Sequence, residues 1–94
     1  MITRIVKLTL DPNKIEEFKV FFKAKKTSIE NHEGCYQVIL LQDIKYSNIF
    51  FTYSHWEDEI KLNNYRNSEL FNKIWKYTTS CFCDRPQAWT LKEK

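Results

Sequence analysis

The chain has 94 residues, a size that accommodates one small domain with a single core and limited space for a buried cavity. Its composition is that of a folded protein, because 43% of the residues are hydrophobic and 16% aromatic, with only one glycine and two prolines. Charged residues of both signs are spread along the sequence with a net charge of +3, so no nucleic-acid partner is predicted.

The first third of the chain predicts a strand followed by a helix. Residues 2–10 alternate with a period of two, which is typical of a strand. Asp11 then provides a helix cap, and Pro12 occupies the first helical position, where its missing N–H costs nothing. Apolar side chains at 15, 18, 22 and 29 follow the helical period, with two glutamates in the first turn. Gly34 can adopt a left-handed conformation without steric cost, which predicts a helix end near residue 31.

Two further strands follow the helix. Residues 35–43 contain more apolar side chains than strict alternation requires, which favours a strand covered on both faces. Residues 49–56 predict a third strand, antiparallel to the second because the connection between them is short. Phe50 and Trp56 lie on one face of this third strand.

The other face of the third strand carries Phe51 and Tyr53. Helices cover only one face of such a sheet, so aromatic side chains on both faces predict that a second subunit packs on the far side. We therefore expect a homodimer formed through the sheet.

The last third predicts two helical segments and a strand. Residues 57–65 read as a short helix with Ile60, Leu62 and Tyr65 facing inward, and its acidic start is explained by the exposed N–H groups of a helix terminus. Ser68 caps a second segment. Its helical stripe consists of Phe71, Ile74, Trp75, Thr78 and Phe82.

Residues 87–91 predict a short final strand. The resulting order βαββαβ is the ferredoxin-like arrangement, an α+β fold in which helices cover one face of an antiparallel sheet. We expect residues 1–94 to form one domain.

The cysteine and histidine pattern predicts neither disulfides nor a metal site. The chain has an odd number of cysteines, Cys35, Cys81 and Cys83, and no secretory leader precedes them. We therefore expect a reduced, cytoplasmic protein with no membrane partner. Neither His32 nor His55 stands at zinc-finger spacing from the cysteines, and both are interpreted as surface or interface residues.

The motifs of common enzyme classes are missing. The sequence has no glycine-flanked serine, no phosphate-binding loop and no histidine pair at helical spacing, which argues against the common hydrolases. Large aromatic side chains with few small residues pack imperfectly, and the gap between helices and sheet is where this architecture could hold a flat apolar ligand.

Three segments together resemble the antibiotic biosynthesis monooxygenase domain family: "EGCYQVILLQD" after an amphipathic helix, "NIFFTYSHWEDE" closing a strand, and "LNNYRNSELF". The resemblance spans nearly the whole chain and implies two sheets paired face to face in a dimeric α+β barrel. The family includes monooxygenases that oxidise polycyclic phenols with dioxygen and no cofactor, quinol monooxygenases and haem-degrading monooxygenases. The implied catalytic residues are Trp56 and Thr52, and the implied substrate-binding residues are Tyr65, Trp75, Phe71, Phe22 and Phe50.

The sequence also departs from its relatives at positions that carry chemistry. Haem degraders have an asparagine where this chain has Val6 and a proximal histidine where it has Trp75, which disfavours haem degradation. The polyketide oxidisers have an asparagine in place of Thr52, whose hydroxyl is a weaker hydrogen-bonding group. Related small monooxygenases carry histidines in the segment where this chain has Tyr65 and Leu70.

Two other functions remain open from the sequence. One is a dimeric module of the same fold that binds a small apolar ligand without catalysis. The other is an RNA-recognition module, which has the same strand order and would stack bases on Phe51 and Tyr53. The glycine-aromatic signature of that module is absent from the third strand.

Overall fold

A computed structural model describes residues 1–94 as four strands and three α-helices. None of the helices is both long enough and apolar enough to cross a membrane. In chain order the elements are β1 (Ile2–Thr9), α1 (Ile15–Glu30), β2 (Cys35–Gln42), β3 (Ile49–Trp56), α2 (Glu59–Arg66), α3 (Glu69–Ser80) and β4 (Gln87–Leu91).

The strands form one antiparallel sheet with the order β2-β3-β1-β4. β1 and β3 pair along their full length, from Ile2 opposite Trp56 to Thr9 opposite Ile49. The helices lie against one face of this sheet, so the predicted ferredoxin-like α+β fold is confirmed.

The two faces of the sheet differ in burial as the alternation predicts. On the inner face, Leu8, Phe50 and Trp56 are at most 2% exposed, and they pack with Phe18 of α1 in the main core. The outer face is only partly covered by its own chain. Its large apolar side chains are Ile5, Ile39, Leu41, Phe51, Tyr53, Trp89 and Leu91.

The start and end of α1 follow local capping rules. Asp11 accepts a hydrogen bond from the Asn13 N–H at 2.9 Å, but Pro12–Lys14 form a 3-10 turn and the α-helix begins only at Ile15, later than predicted. The helix ends at Glu30, and Gly34 has φ = +86°, which confirms its predicted left-handed conformation.

α2 also begins at a side-chain cap, because Asp58 accepts a hydrogen bond from the Lys61 N–H at 2.9 Å. Leu62 and Tyr65 are buried as predicted, but Ile60 is 69% exposed and its predicted inward position is wrong. Two positions along an α-helix correspond to a rotation of about 200°, so Ile60 and Leu62 lie on opposite sides of α2.

α3 ends earlier than the apolar stripe predicts. Ser68 caps the helix as expected, but the helix stops at Ser80, before Phe82. After that point the backbone turns toward β1, where the Cys83 N–H donates to the Thr9 carbonyl at 2.9 Å. Because this pairing competes with a further helical turn, Phe82 lies outside the helix.

Candidate functional site

A cavity of about 310 Å³ lies between the inner face of the sheet and the three helices. Its volume is at the lower end of the range of about 300–1,000 Å³ that is usual for small-molecule sites. Four of its lining residues are exposed, and they mark its mouth beside the start of β4: Arg66, Pro86, Gln87 and Ala88. The rest of the lining consists largely of buried core side chains, including Leu8 and Phe22.

The pairing of β1 with β3 builds the floor of the cavity. Residues directly opposite each other in an antiparallel ladder share a face, so Arg4 lies beside Ser54 and Val6 beside Thr52. All four side chains line the cavity. The polar floor therefore comes from alternate positions of two neighbouring strands.

Trp56 forms one wall and is almost completely buried, with 1% of its surface exposed. Its ring stacks on Tyr65 with 5.0 Å between centroids. Its indole N–H donates to Ser54 Oγ at 3.0 Å, and that hydroxyl donates to the Arg4 carbonyl. Because its only side-chain donor is used within the protein and its ring is almost completely buried, Trp56 shapes the wall but offers a ligand no polar group.

Aromatic side chains from α2 and α3 continue this wall. Tyr65 packs edge to face on Phe71 at 5.2 Å, and Phe71 stacks on Trp75 at 5.8 Å with an angle of 12° between the rings. Burial, with a smaller contribution from Cys35, raises the pKa of the Tyr65 hydroxyl. That hydroxyl therefore remains protonated at neutral pH and is a hydrogen-bond donor rather than a base.

Six of the seven residues selected from the sequence line this cavity, and Phe50 does not. The six are Thr52, Trp56, Phe22, Tyr65, Phe71 and Trp75. Phe50 is on the inner face but lies under α1, where its ring packs edge to face on Phe18 with 6.2 Å between centroids.

The structure adds two cationic residues that sequence reasoning did not select. Arg4 is half-buried in the cavity, where its Nη1 donates to Thr90 Oγ1 at 2.7 Å, and Arg66 is exposed at the end of α2. Partial burial and the nearby charge of Arg66 lower the pKa of Arg4, which still remains charged at neutral pH. The signal in the sequence was an arginine on the otherwise apolar side of β1.

The histidines and cysteines lie outside the cavity lining. His32 packs edge to face against Tyr65 at 5.3 Å behind the wall of Trp56, a half-buried position rather than an open surface. His55 is on the outer face, where it hydrogen-bonds Thr3. The three cysteines are free, and no cluster of three or more His, Cys, Asp or Glu side chains could hold a metal ion.

Comparison with solved structures identifies many proteins of the same fold. A conserved protein from Methanosarcina mazei Go1 is 23% identical, with a TM-score of 0.92 over 100% of this chain and 94% of the other. A putative antibiotic biosynthesis monooxygenase from Nitrosomonas europaea is 13% identical, with a TM-score of 0.90 over 99% and 98%. A Bacteroides thetaiotaomicron protein described as a possible oxidoreductase is 12% identical, with a TM-score of 0.87 over 98% and 96%.

At these identities the structural similarity establishes the fold and not the reaction. No curated protein matches the chain significantly. The sequence profile of one family, antibiotic biosynthesis monooxygenase, matches residues 1–77. Since this match covers most of the 94 residues and agrees with the fold, the chain belongs to the antibiotic biosynthesis monooxygenase family.

Proposed function

We propose that the protein is a small monooxygenase that oxidises a flat phenol or quinol with dioxygen, without a metal or an organic cofactor. The observation that carries the proposal is the aromatic cavity of about 310 Å³, whose lining includes the contacting rings of Trp56, Tyr65, Phe71 and Trp75. Such a cavity suits a fused-ring substrate, and family membership agrees with this chemistry.

The chemistry needs little from the protein, because an ionised phenol is itself electron-rich. For a naphthol, one oxygen atom of dioxygen becomes a carbonyl on the ring and the other leaves as water, so the four electrons that reduce dioxygen come from the substrate. The protein's tasks are to remove the substrate from water and to orient its ring. Thr52 and Tyr65 supply the hydroxyl groups that would fix that orientation.

A ligand-binding module without catalysis is the second candidate. The observation in its favour is that Tyr65 is the only neutral ionisable group in the cavity lining, and its raised pKa prevents it from acting as a base. This module would bind the same flat ligands but would consume no oxygen.

Oxygen uptake by the metal-free protein, with dihydroxynaphthalenes, anthrones and quinols as substrates, separates the two candidates. We expect uptake that falls in Tyr65→Phe, which removes the hydroxyl group of a lining residue. Tyr46→Phe is the matched control, since Tyr46 is exposed in the turn before β3 and outside the cavity. No uptake with any substrate, together with measurable ligand binding, would favour the binding module.

We also propose that two copies pair through the outer face of the sheet. Leu41 on one edge strand and Trp89 and Leu91 on the other are each more than 40% exposed on that face, and large exposed apolar side chains indicate a contact surface. A stable interface needs about 800 Å² from each partner. The expected state in analytical ultracentrifugation is a dimer that Tyr53→Lys dissociates.

The matched control for the dimer is Ile60→Lys. Ile60 is 69% exposed on α2, on the other side of the molecule from the outer face. This variant should remain dimeric. A monomeric wild-type protein at micromolar concentration would contradict the proposed pairing.

A further inference from the structure

The cavity carries a pair of positive charges in an otherwise uncharged lining. Arg4 and Arg66 are the only lining residues that are charged at neutral pH, and the other 18 of the 20 include no Asp, Glu, Lys, His or Cys. A half-buried guanidinium ordinarily has an acidic partner, because removing a charge from water is unfavourable without one. The lining therefore carries two positive charges that no negative charge in the lining balances.

Neither arginine has a carboxylate partner elsewhere in the chain. The four ion pairs of the structure all use lysines, and Arg4 donates instead to the neutral hydroxyl of Thr90. The two guanidinium groups are close enough for the charge of Arg66 to lower the pKa of Arg4. An anion between them would relieve this repulsion and replace the lost solvation.

The position of the arginines defines how a ligand would enter. Arg66 is exposed at the mouth with Gln87, and Arg4 is half-buried behind it on the floor. Apart from the hydroxyl groups of Ser54, Tyr65 and Thr78, the buried part of the lining is apolar and includes Leu8 and Phe22. A ligand with fused rings would therefore place its rings inside and an anionic group toward the mouth.

We propose that this site selects flat aromatic anions, and that Arg4 and Arg66 together bind the ligand's carboxylate or phenolate oxygen. The inference deepens the proposed function, because it assigns the substrate class of the same cavity. Guanidinium groups present several N–H donors in a plane, which suits an oxyanion better than a neutral hydroxyl.

The arginines also explain how a phenol could ionise where the lining offers no base. A nearby positive charge favours the ionised form of an acid, so the pair would lower the pKa of a bound phenol. The other titratable group in the lining, Tyr65, stays neutral because its own pKa is raised by burial. The proton would then leave to solvent through the mouth rather than to a protein side chain.

The test is equilibrium binding without oxygen, measured by tryptophan fluorescence with naphthoate and its uncharged analogue naphthylmethanol. Naphthoate should bind about tenfold to a hundredfold more tightly, as expected for charge-assisted hydrogen bonds. Arg66→Gln should remove most of that preference while leaving naphthylmethanol binding unchanged. Arg4→Gln should also remove most of the preference for naphthoate, and Arg4→Lys should retain part of it.

Arg85→Gln is the matched control, since Arg85 is exposed, does not line the cavity and carries the same charge. Its affinity for naphthoate should equal that of the wild type. Arg66 is exposed at a helix end, so its variant is expected to fold even if Arg4→Gln does not.

The inference would be overturned if the wild type bound the two ligands with equal affinity or did not bind naphthoate. It would also be overturned if Arg85→Gln and Arg66→Gln lost the same amount of affinity for naphthoate. The measurement is independent of turnover. Arginine-dependent naphthoate binding without oxygen uptake would refute the monooxygenase proposal alone, whereas oxidation of neutral phenols without any preference for anions would refute the anion site alone.

Discussion

Replacing Trp56 by alanine should destabilise the protein more than any other single truncation in the cavity wall. Trp56 is 1% exposed, and large aromatic side chains bury about 150–250 Å² when a protein folds. At about 25 cal/mol/Å², 200 Å² corresponds to about 5 kcal/mol. Because the unfolded chain already buries about 10–40% of such surface, the expected loss is about 3–4.5 kcal/mol. This agrees with the usual cost of about 3–5 kcal/mol for such truncations.

Urea unfolding at a fixed protein concentration measures this loss. With a slope of about 1.5 kcal/mol/M, the midpoint should fall by about 2–3 M. Trp75→Ala is the comparison variant, because Trp75 lines the same cavity but is only half-buried, and its truncation should cost about 1–2 kcal/mol. If Trp56→Ala costs no more than Trp75→Ala, Trp56 is not the core residue that its burial implies.

Three further predictions concern other contacts. Ser54→Ala should cost about 1–3 kcal/mol in urea unfolding, because the buried Trp56 N–H loses its acceptor; an unchanged midpoint would argue against that bond. Gly34→Ala should destabilise the protein by at least about 1–3 kcal/mol, because Gly34 has φ = +86° and the new methyl group would overlap a lysine side chain. Unchanged stability would contradict the left-handed conformation of this residue. The hydrogen bond from Tyr77, more than the nearby Lys14, lowers the pKa of Glu17. The resulting stabilisation is present above the unfolded-state pKa of Glu17 and is lost as the pH falls through the folded-state value. NMR titration should therefore find a higher Glu17 pKa in Tyr77→Phe, and an equal pKa would exclude this bond in solution.

Most of the fold could be predicted from local sequence patterns. The boundaries of the third and fourth strands, 49–56 and 87–91, agree with those observed, because side-chain alternation and flanking turns are local properties. The cap at Ser68 and the left-handed Gly34 were predictable for the same reason. These features depend on a few neighbouring residues and not on the tertiary structure.

The features that could not be predicted depend on contacts between distant segments. α3 stops at Ser80 because the following backbone pairs with the end of β1, about seventy residues earlier in the chain. Phe50 lies on the same face of the sheet as the cavity but is covered by α1. This position depends on where the helix crosses the sheet. The period of a strand determines the face of a residue but not its neighbours.

The candidate site was predictable in its aromatic part and not in its charged part. Thr52 and Trp56 share the inner face of one strand, so their approach follows from alternation alone. Arg4 and Arg66 come from elements that are far apart in sequence, and only the folded structure brings them to one cavity. An arginine in the inward register of a first strand is nevertheless a useful signal for a polar site beneath the helices.

The most direct test of the proposed reaction is the fate of the two oxygen atoms. The metal-free protein would be supplied with a dihydroxynaphthalene and dioxygen labelled with the heavy oxygen isotope, and the early product analysed by mass spectrometry. A cofactor-independent monooxygenase should place one labelled atom in each quinone product and the other in water, at a rate unchanged by chelators. An unlabelled product, or turnover that requires added metal or flavin, would contradict the account.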